Sequence, residues 1–218
     1  MRVAFFHRGY ENIGVQMLSA VLRRAGHETR LFFDPLLFDD MLLSVKPLAR
    51  VFDHTPFLLG RLVEWNPGLV CFSVVTFDYA WARRTARAVR ERLPNAKIVF
   101  GGIHVTSVPD EVLASGEADF IVVGEGEGAL VDLALALETG DDPSAIDNIG
   151  VRGGTVRAPR PLIQDLDALP FADKALYYDE HPLFRIGYTI VSGRGCPIDC
   201  AYCHNNIQSK IYGRKGYL

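Results

Sequence analysis

What constrains this chain most is a run of short apolar segments that alternate with stretches of helical periodicity. Residues 3–6, 29–33, 69–75, 98–100 and 120–123 are apolar through most or all of their length. Between them, residues 14–25, 58–65, 79–93, a short stretch from Asp110, and residues 129–137 space their apolar positions as helices do. In the first of these, Val15, Leu18, Val21 and Leu22 fall on one face. A strand that is apolar on both sides must be covered on both sides, so the alternation predicts an α/β fold: a doubly wound, Rossmann-like or flavodoxin-like parallel sheet. Residues 34–53 break the rhythm with Phe, Leu and Pro and no clean period. They are expected to form a long excursion over the strand ends, and their apolar content argues against disorder.

Charge and composition exclude several classes of function. The 218 residues carry 26 acidic and 23 basic side chains, a formal net charge of -3, which gives no reason to expect a nucleic-acid partner. Arg83, Arg84, Arg87 and Arg90 form the densest basic stripe, and at helical spacing this reads as a solvated face. No apolar run approaches the roughly 18 residues that a spanning helix needs, so membrane insertion is not expected and a cytoplasmic location is. Three of the four cysteines are clustered, which suits a reducing compartment and metal binding better than a disulfide framework. Cys71 lies alone in an apolar run and reads as a small buried residue with no chemical role.

After Gly140 the texture changes. The sequence predicts a first domain over 1–140, a linker over 141–186 with a hairpin turning at Gly153-Gly154, and the start of a further unit over 187–218. Residues 188–191 read as a new strand that leads through Ser192-Gly193-Arg194-Gly195 into the cysteines. Only fifteen residues follow Cys203, whereas one strand–helix–strand unit takes about thirty.

Cys196, Cys200 and Cys203 have the spacing C-x3-C-x2-C, with His204 immediately after. Three thiolates on a short loop can hold a 4Fe-4S cluster while leaving one iron open for a reactant. Zinc held by the same cysteines and His204 is the alternative, although zinc sites usually join two separated C-x2-C knuckles. Asp199, between the cysteines, reads as solvated, and His204 and Asn205 either hydrogen-bond the cluster sulfurs or merely end the loop.

This cysteine loop, with aromatic Tyr202 before its last cysteine and a Ser-Gly-Arg-Gly lead-in, resembles the signature of the radical S-adenosylmethionine (radical SAM) superfamily. The resemblance implies that Cys196, Cys200 and Cys203 are the cluster ligands and that Tyr202 lies near the adenine of S-adenosylmethionine. It further implies that residues 187–218 are the first strand and cluster loop of an incomplete radical SAM (β/α) barrel.

Small and polar residues follow the expected strands of the first domain, where an open α/β sheet takes its ligand. They include Ser73 and Thr76, Gly101, Gly102 and His104, and the string Gly124-Glu125-Gly126-Glu127-Gly128. Ser73 and Thr76 would serve equally as helix caps. Nicotinamide binding is disfavoured, because the first turn lacks G-x-G-x-x-G and the glycine string follows the wrong strand. Residues 11–27, 99–104 and 119–127 instead resemble three recurrent signatures of the cobalamin-binding domain that precedes the radical core in one branch of the superfamily, and 169–173 is similar to its interdomain linker. The resemblance implies cofactor contacts at Glu11, Asn12, Gly14, Ser73, Thr76, Gly101, Gly102, His104, Gly124, Glu125 and Gly126. One departure stands out: where cobalt-ligating domains carry D-x-H-x-x-G, Gly9 occupies the Asp place and Glu11 the His place. Cobalt is therefore expected to lack a protein histidine, and His7 is expected to be a loop hydrogen-bonder.

Taken as a whole, the resemblance implies the front part of a cobalamin-dependent radical SAM enzyme. Such an enzyme cleaves S-adenosylmethionine reductively to a deoxyadenosyl radical and, in the expected outcome, methylates an unactivated carbon from methylcobalamin. Ring closure or rearrangement, or a corrinoid- and cluster-binding fragment without turnover, are the alternatives. The implied cofactors are the 4Fe-4S cluster, S-adenosylmethionine and cobalamin. An electron donor and a small-molecule or peptide substrate are the implied partners, and no residue is assigned a catalytic role.

Overall fold

The structure is a computed structural model that describes residues 1–39, 43–198 and 200–213. Asp199 and part of the 34–53 excursion therefore lie outside the described residues. Each expected strand and helix of the first 140 residues forms, with ends shifted by a few positions. The chain runs β1 (Arg2–Arg8), α1 (Ile13–Arg24), β2 (Glu28–Asp34), α2 (Lys46–Val51), α3 (Thr55–Trp65), β3 (Leu69–Ser73), α4 (Tyr79–Arg92) and β4 (Lys97–Gly101). It continues with α5 (Ile103–Ser107), α6 (Pro109–Ser115), β5 (Phe120–Val122), α7 (Glu127–Thr139), β6 (Ile149–Val151), α8 (Ala175–Tyr178) and α9 (His204–Tyr212).

The strands form one sheet in the order β2-β1-β3-β4-β5-β6. β1 to β5 are parallel, and β6 pairs antiparallel with β5, with Ile121 opposite Gly150. Because a strand presents alternate side chains to opposite faces, Ala4, Phe6, Val70, Phe72, Ile98 and Phe100 meet α3, α4 and α6 on one side. Val3, Phe5, Leu69, Cys71 and Val99 meet α1 and α7 on the other. Each large apolar side chain buried this way contributes about 1.5–3 kcal/mol. This two-sided demand explains why the strands are apolar throughout.

Four features differ from the sequence reading. The excursion contains the short helix α2, which starts with Pro47 in its first turn. The strand expected over 69–75 ends at Ser73, because residues Thr76–Asp78 turn into a 3-10 coil leading into α4. The expected strand over 188–191 does not form: no regular element covers it, and Tyr188, Ile190 and Val191 are exposed. Among the described residues no strand lies beside it to complete a ladder, and strand propensity depends on that context. The arginine stripe is not simply solvated either. Arg83 (2.8 Å) and Arg87 both hold the buried Glu117 carboxylate, and Arg90 bonds Asp119 at 3.1 Å, so three of the four pin the turn before β5.

The hairpin turning at Gly153-Gly154 is present, closed by Gly154 N–H to Val151 O at 2.9 Å and a Gly150–Val156 bridge. Its first arm is β6, so the sheet gains an edge strand from the segment beyond Gly140. The rest of that segment also packs. Tyr177 of α8 is fully buried in the α1–α7 face of the core.

Candidate functional site

The sheet order reverses direction between β1 and β3, which opens a crevice at the carboxyl ends of these strands. A cavity of about 340 Å³ lies there, on the α1–α7 side. Its floor is Phe5, Cys71, Val99 and Val122, from four adjacent strands. Its walls are Ile13, Met17 and Leu18 of α1 and Leu130 of α7. Ser73, Gly101, Gly102 and residues 124–127 form the rim, and Arg194, Gly195 and Gln208 close over it. An apolar slot with a few polar groups at the mouth has the usual character of a cofactor site.

Gly102 sets the shape of the rim. Its backbone has φ +98° and ψ −175°, a region open almost only to glycine. A Cβ there would approach Val74 N and Val74 O to 2.8 Å each. The chain thus leaves β4 pressed against the end of β3, and a ligand can approach bare backbone. Gly124, at φ +78°, lies beneath the Tyr212 hydroxyl, which a side chain at that position would displace.

Of the residues implied as cofactor contacts, Gly14, Ser73, Gly101, Gly102, Gly124, Glu125 and Gly126 line the cavity. Glu11, Asn12, Thr76, His104 and Tyr202 are not in its lining. Glu11 accepts hydrogen bonds from Gln16 Nε2 (2.6 Å), Lys174 Nζ (3.0 Å) and Thr189 Oγ1 (3.3 Å). Burial works to raise the Glu11 pKa, but these partners outweigh it and hold the carboxyl below its usual range. Thr76 Oγ1 and His104 Nδ1 are 3.2 Å apart, and the His104 ring packs on Tyr79. Tyr202 is almost wholly exposed on the cysteine loop. Cys71, read as inert, does reach the cavity floor, and burial pushes its thiol pKa far up.

Asn12 acts through its neighbours. Its Oδ1 caps α1 by accepting Val15 N–H at 3.2 Å, which turns its amide nitrogen toward His7 Nε2 and Ser73 Oγ, each at 3.4 Å. Because an amide nitrogen only donates, His7 Nε2 accepts and the proton sits on Nδ1, 3.1 Å from the Tyr177 hydroxyl. His7 hydrogen-bonds as the sequence suggests, but from the buried end of β1 rather than from a loop, and it orients the rim hydroxyl of Ser73 through Asn12.

Burial, reinforced by the Arg8 charge, lowers the His7 pKa from 6.5 to about 4. Since the folded form binds this proton more weakly than the unfolded one, the contribution is complete above pH 6.5 and is lost as pH falls toward 4. The loss amounts to about 3 kcal/mol across that window. Urea unfolding of the wild type and of His7→Gln at about pH 7 and about pH 4.5, near the edges of that window, is expected to show a clearly shallower acid loss in the variant. Parallel losses would contradict the assignment.

The cysteine loop stands at the mouth, with Gly195 in the cavity lining and Cys196 next in sequence. Cys203 N–H bonds Cys200 O at 3.0 Å, so the C-x2-C pair spans one tight turn before α9. The donor set suits an iron–sulfur cluster. Among the described residues, however, no group of three His, Cys, Asp or Glu side chains is gathered closely enough to hold a metal ion. His204 Nδ1 instead lies 3.5 Å from Ser107 Oγ of α5. The nucleotide tail of a corrinoid fits better: the apolar slot matches its flat base, and the glycine rim at the open mouth matches the linker that follows it.

Sequence reasoning missed Arg194 and Tyr212. Arg194 bonds Glu125 at 2.8 Å and also pairs with Glu127, while the Tyr212 hydroxyl accepts Glu125 N–H at 3.1 Å. The signal for Arg194 was its place two residues ahead of Cys196; Tyr212 offered none.

The fold and its cavity define a doubly wound α/β ligand-binding domain with a short cysteine loop appended. A family model described as the B12 binding domain matches residues 4–134. The chain belongs to that family, and it is similar to part of cobalamin-binding radical SAM proteins. It is 31% identical over 200 residues to an anaerobic magnesium-protoporphyrin IX monomethyl ester cyclase of Synechocystis sp., covering 88% of this chain and 37% of the relative. It is 32% identical over 201 residues to a hopanoid C-3 methylase of Methylococcus capsulatus, covering 88% and 35%. The fold is similar to that of the radical S-adenosylmethionine methyltransferase TsrM from Kitasatospora setae, with TM-score 0.66 and 20% identity over 94% of this chain and 41% of that one. The chain thus spans between a third and two fifths of the curated relatives. Among the described residues no helix is long and apolar enough to cross a membrane.

Proposed function

We propose that this chain is the cobalamin-binding and cluster-loop portion of a cytoplasmic radical SAM enzyme. The enzyme cleaves S-adenosylmethionine reductively at a 4Fe-4S cluster and methylates an unactivated carbon from methylcobalamin. The observation that carries this reading is the adjacency of the two halves: the residue before Cys196 lines the cavity of the B12-binding domain. The bound cofactors supply the radical and methyl-transfer chemistry; the protein holds and shields them.

In this reading Phe5, Cys71, Val99, Val122, Met17 and Leu130 take the apolar base at the end of the corrinoid's nucleotide tail. Gly101, Gly102, Gly124 and Gly126 let its linker run along bare backbone, and Ser73 donates or accepts at the rim. Glu11 stands where other cobalamin domains place a cobalt-binding histidine. Its carboxylate is already committed to Gln16, Lys174 and Thr189 and would not be free to hold cobalt. In the same reading Cys196, Cys200 and Cys203 are the cluster ligands, and Tyr202 contacts the adenine of S-adenosylmethionine. An external reductant and a small-molecule or peptide substrate complete the system. Ring closure is the second reading, favoured by the named activity of the cyclase relative.

Two measurements test the proposal. Hydroxocobalamin is expected to co-elute with the chain in gel filtration, with a spectrum lacking a histidine-ligated form; free elution of the corrinoid would remove the cobalamin assignment. Anaerobic reconstitution is expected to give about four irons and four sulfides per chain. Replacing all three clustered cysteines by alanine should reduce both to background. Unchanged iron in that variant, or stoichiometric zinc in its place, would refute the cluster.

A further inference from the structure

The cysteine loop is gripped on both sides by one short segment of the cobalamin-binding domain. Ahead of the cysteines, Arg194 reaches Glu125 at 2.8 Å and also pairs with Glu127. Behind them, Tyr212 at the end of α9 accepts the Glu125 N–H at 3.1 Å and lies over Gly124. All three charged side chains are largely withdrawn from water: Arg194 is 21% exposed, Glu125 10% and Glu127 9%. Carboxylates so buried need a cation close by, and Arg194 is that cation.

The segment around 125 is itself rigidly held. Asn148 Nδ2 donates to Glu125 O at 2.9 Å, and Ile163 N–H donates to Glu125 Oε2 at 2.8 Å. A second tie secures the approach to the loop. Lys174 Nζ bonds both Glu11 Oε1 (3.0 Å) and Thr189 O (2.6 Å). The backbone between Thr189 and Arg194 is therefore strapped at both ends.

We infer that Arg194 is a positioning residue: through Glu125 and Glu127 it latches the cysteine loop to the rim of the corrin cavity and so fixes the separation between cluster and cobalt. This inference rests on the proposed function for its cofactors, though the latch itself is a property of the chain. It also assigns Glu125 and Glu127 a use other than phosphate or corrin contact. Two adjacent carboxylates match a guanidinium, and pairing with Arg194 offsets the charge they would otherwise present to an anionic linker passing over the glycines.

The first test uses the full chain without cofactors. Hydrogen exchange of amides in 193–203 is expected to speed up roughly tenfold or more in Arg194→Ala, with Arg194→Lys intermediate and the pair Arg194→Glu/Glu127→Arg close to wild type. Exchange in β1 and β3 is expected to stay unchanged, which separates a released loop from general unfolding. Equal protection of 193–203 in wild type and Arg194→Ala would overturn the latch. The second test loads the chain with cluster and hydroxocobalamin and reduces both with dithionite. Electron-spin relaxation of cob(II)alamin is expected to be faster in wild type than in cluster-free protein. That enhancement should fall in Arg194→Ala at unchanged cofactor content and return in the charge-swapped pair. Enhancement that is equal in wild type and Arg194→Ala would overturn the positioning role. Failure of the cluster or corrinoid to bind at all would count against the proposed function, while leaving the exchange experiment to decide the latch.

Discussion

Gly102→Ala is expected to abolish retention of hydroxocobalamin and to destabilise the chain by about 3 kcal/mol or more. Two costs add. The first is conformational: at φ +98° and ψ −175° an L residue pays a backbone penalty of about 1–3 kcal/mol. The second is steric. The new methyl would meet Val74 N and Val74 O at 2.8 Å, and both atoms are backbone and cannot swing aside. Both are also committed, Val74 N–H to Gly101 O at 2.8 Å and Val74 O to His104 N–H at 3.1 Å. Moving them opens the junction between β3, β4 and α5, which is the floor of the rim. Gly60→Ala is the control: Gly60 lies inside α3 and a Cβ there meets nothing within 4 Å. Helix propensity alone predicts a gain of up to about 1 kcal/mol at that position. Urea unfolding and gel filtration with corrinoid should separate the two variants clearly. Matching curves would refute the account of Gly102.

That contrast also shows which parts of the molecule were readable from sequence. The five parallel strands were, because burial on both faces leaves a continuous apolar run such as residues 98–100, and no other element demands it. The glycine pair was readable too, since a backbone that must run bare against its neighbour leaves no other residue type. The hairpin at Gly153-Gly154 was readable from its turn, but that its first arm, Ile149–Val151, joins the sheet was not: three residues carry no period, and only the unpaired edge of β5 calls for them. The reading of 188–191 as a strand failed for the converse reason, as a β-branched run is not a strand without a neighbour. Arg83, Arg87 and Arg90 looked like a solvated face because helical spacing says nothing of Glu117 and Asp119, which approach from another element. The same blindness hid the latch: Arg194 meets carboxylates 67 and 69 residues earlier in the chain. Periodicity reports which face of an element is buried. Partners that meet across the sheet leave no periodic trace.

Tyr177→Ala is expected to cost about 3–5 kcal/mol, the range for removing a buried aromatic ring. For a chain of this size that lowers the melting temperature by roughly 10 °C. The ring is fully buried and packs edge-on against Phe33 (5.8 Å) and Phe184 (5.3 Å), with His7 at 6.0 Å. Its hydroxyl is the partner of His7 Nδ1. Tyr177→Phe keeps the ring and loses the hydroxyl's bonds to His7 Nδ1 and to the Asn12 backbone, so it should cost about 1–3 kcal/mol, the penalty for leaving a buried donor unpaired. The order alanine, then phenylalanine, then wild type follows from geometry alone. The consequence for the site is larger than the loss of one side chain. α8 places Lys174 against Glu11 and sets the path of the chain into Thr189 and Arg194. When the Tyr177 ring is lost, the approach to the cysteine loop loses its anchor on the α1–α7 face, and the latch at Glu125 and Glu127 must hold alone. Exchange of amides in 187–195 should therefore rise in Tyr177→Ala well above its level in Tyr177→Phe. If instead the two variants melt together and exchange alike, the segment after Gly140 is a passive tether, and the sheet does not set the position of the cysteines.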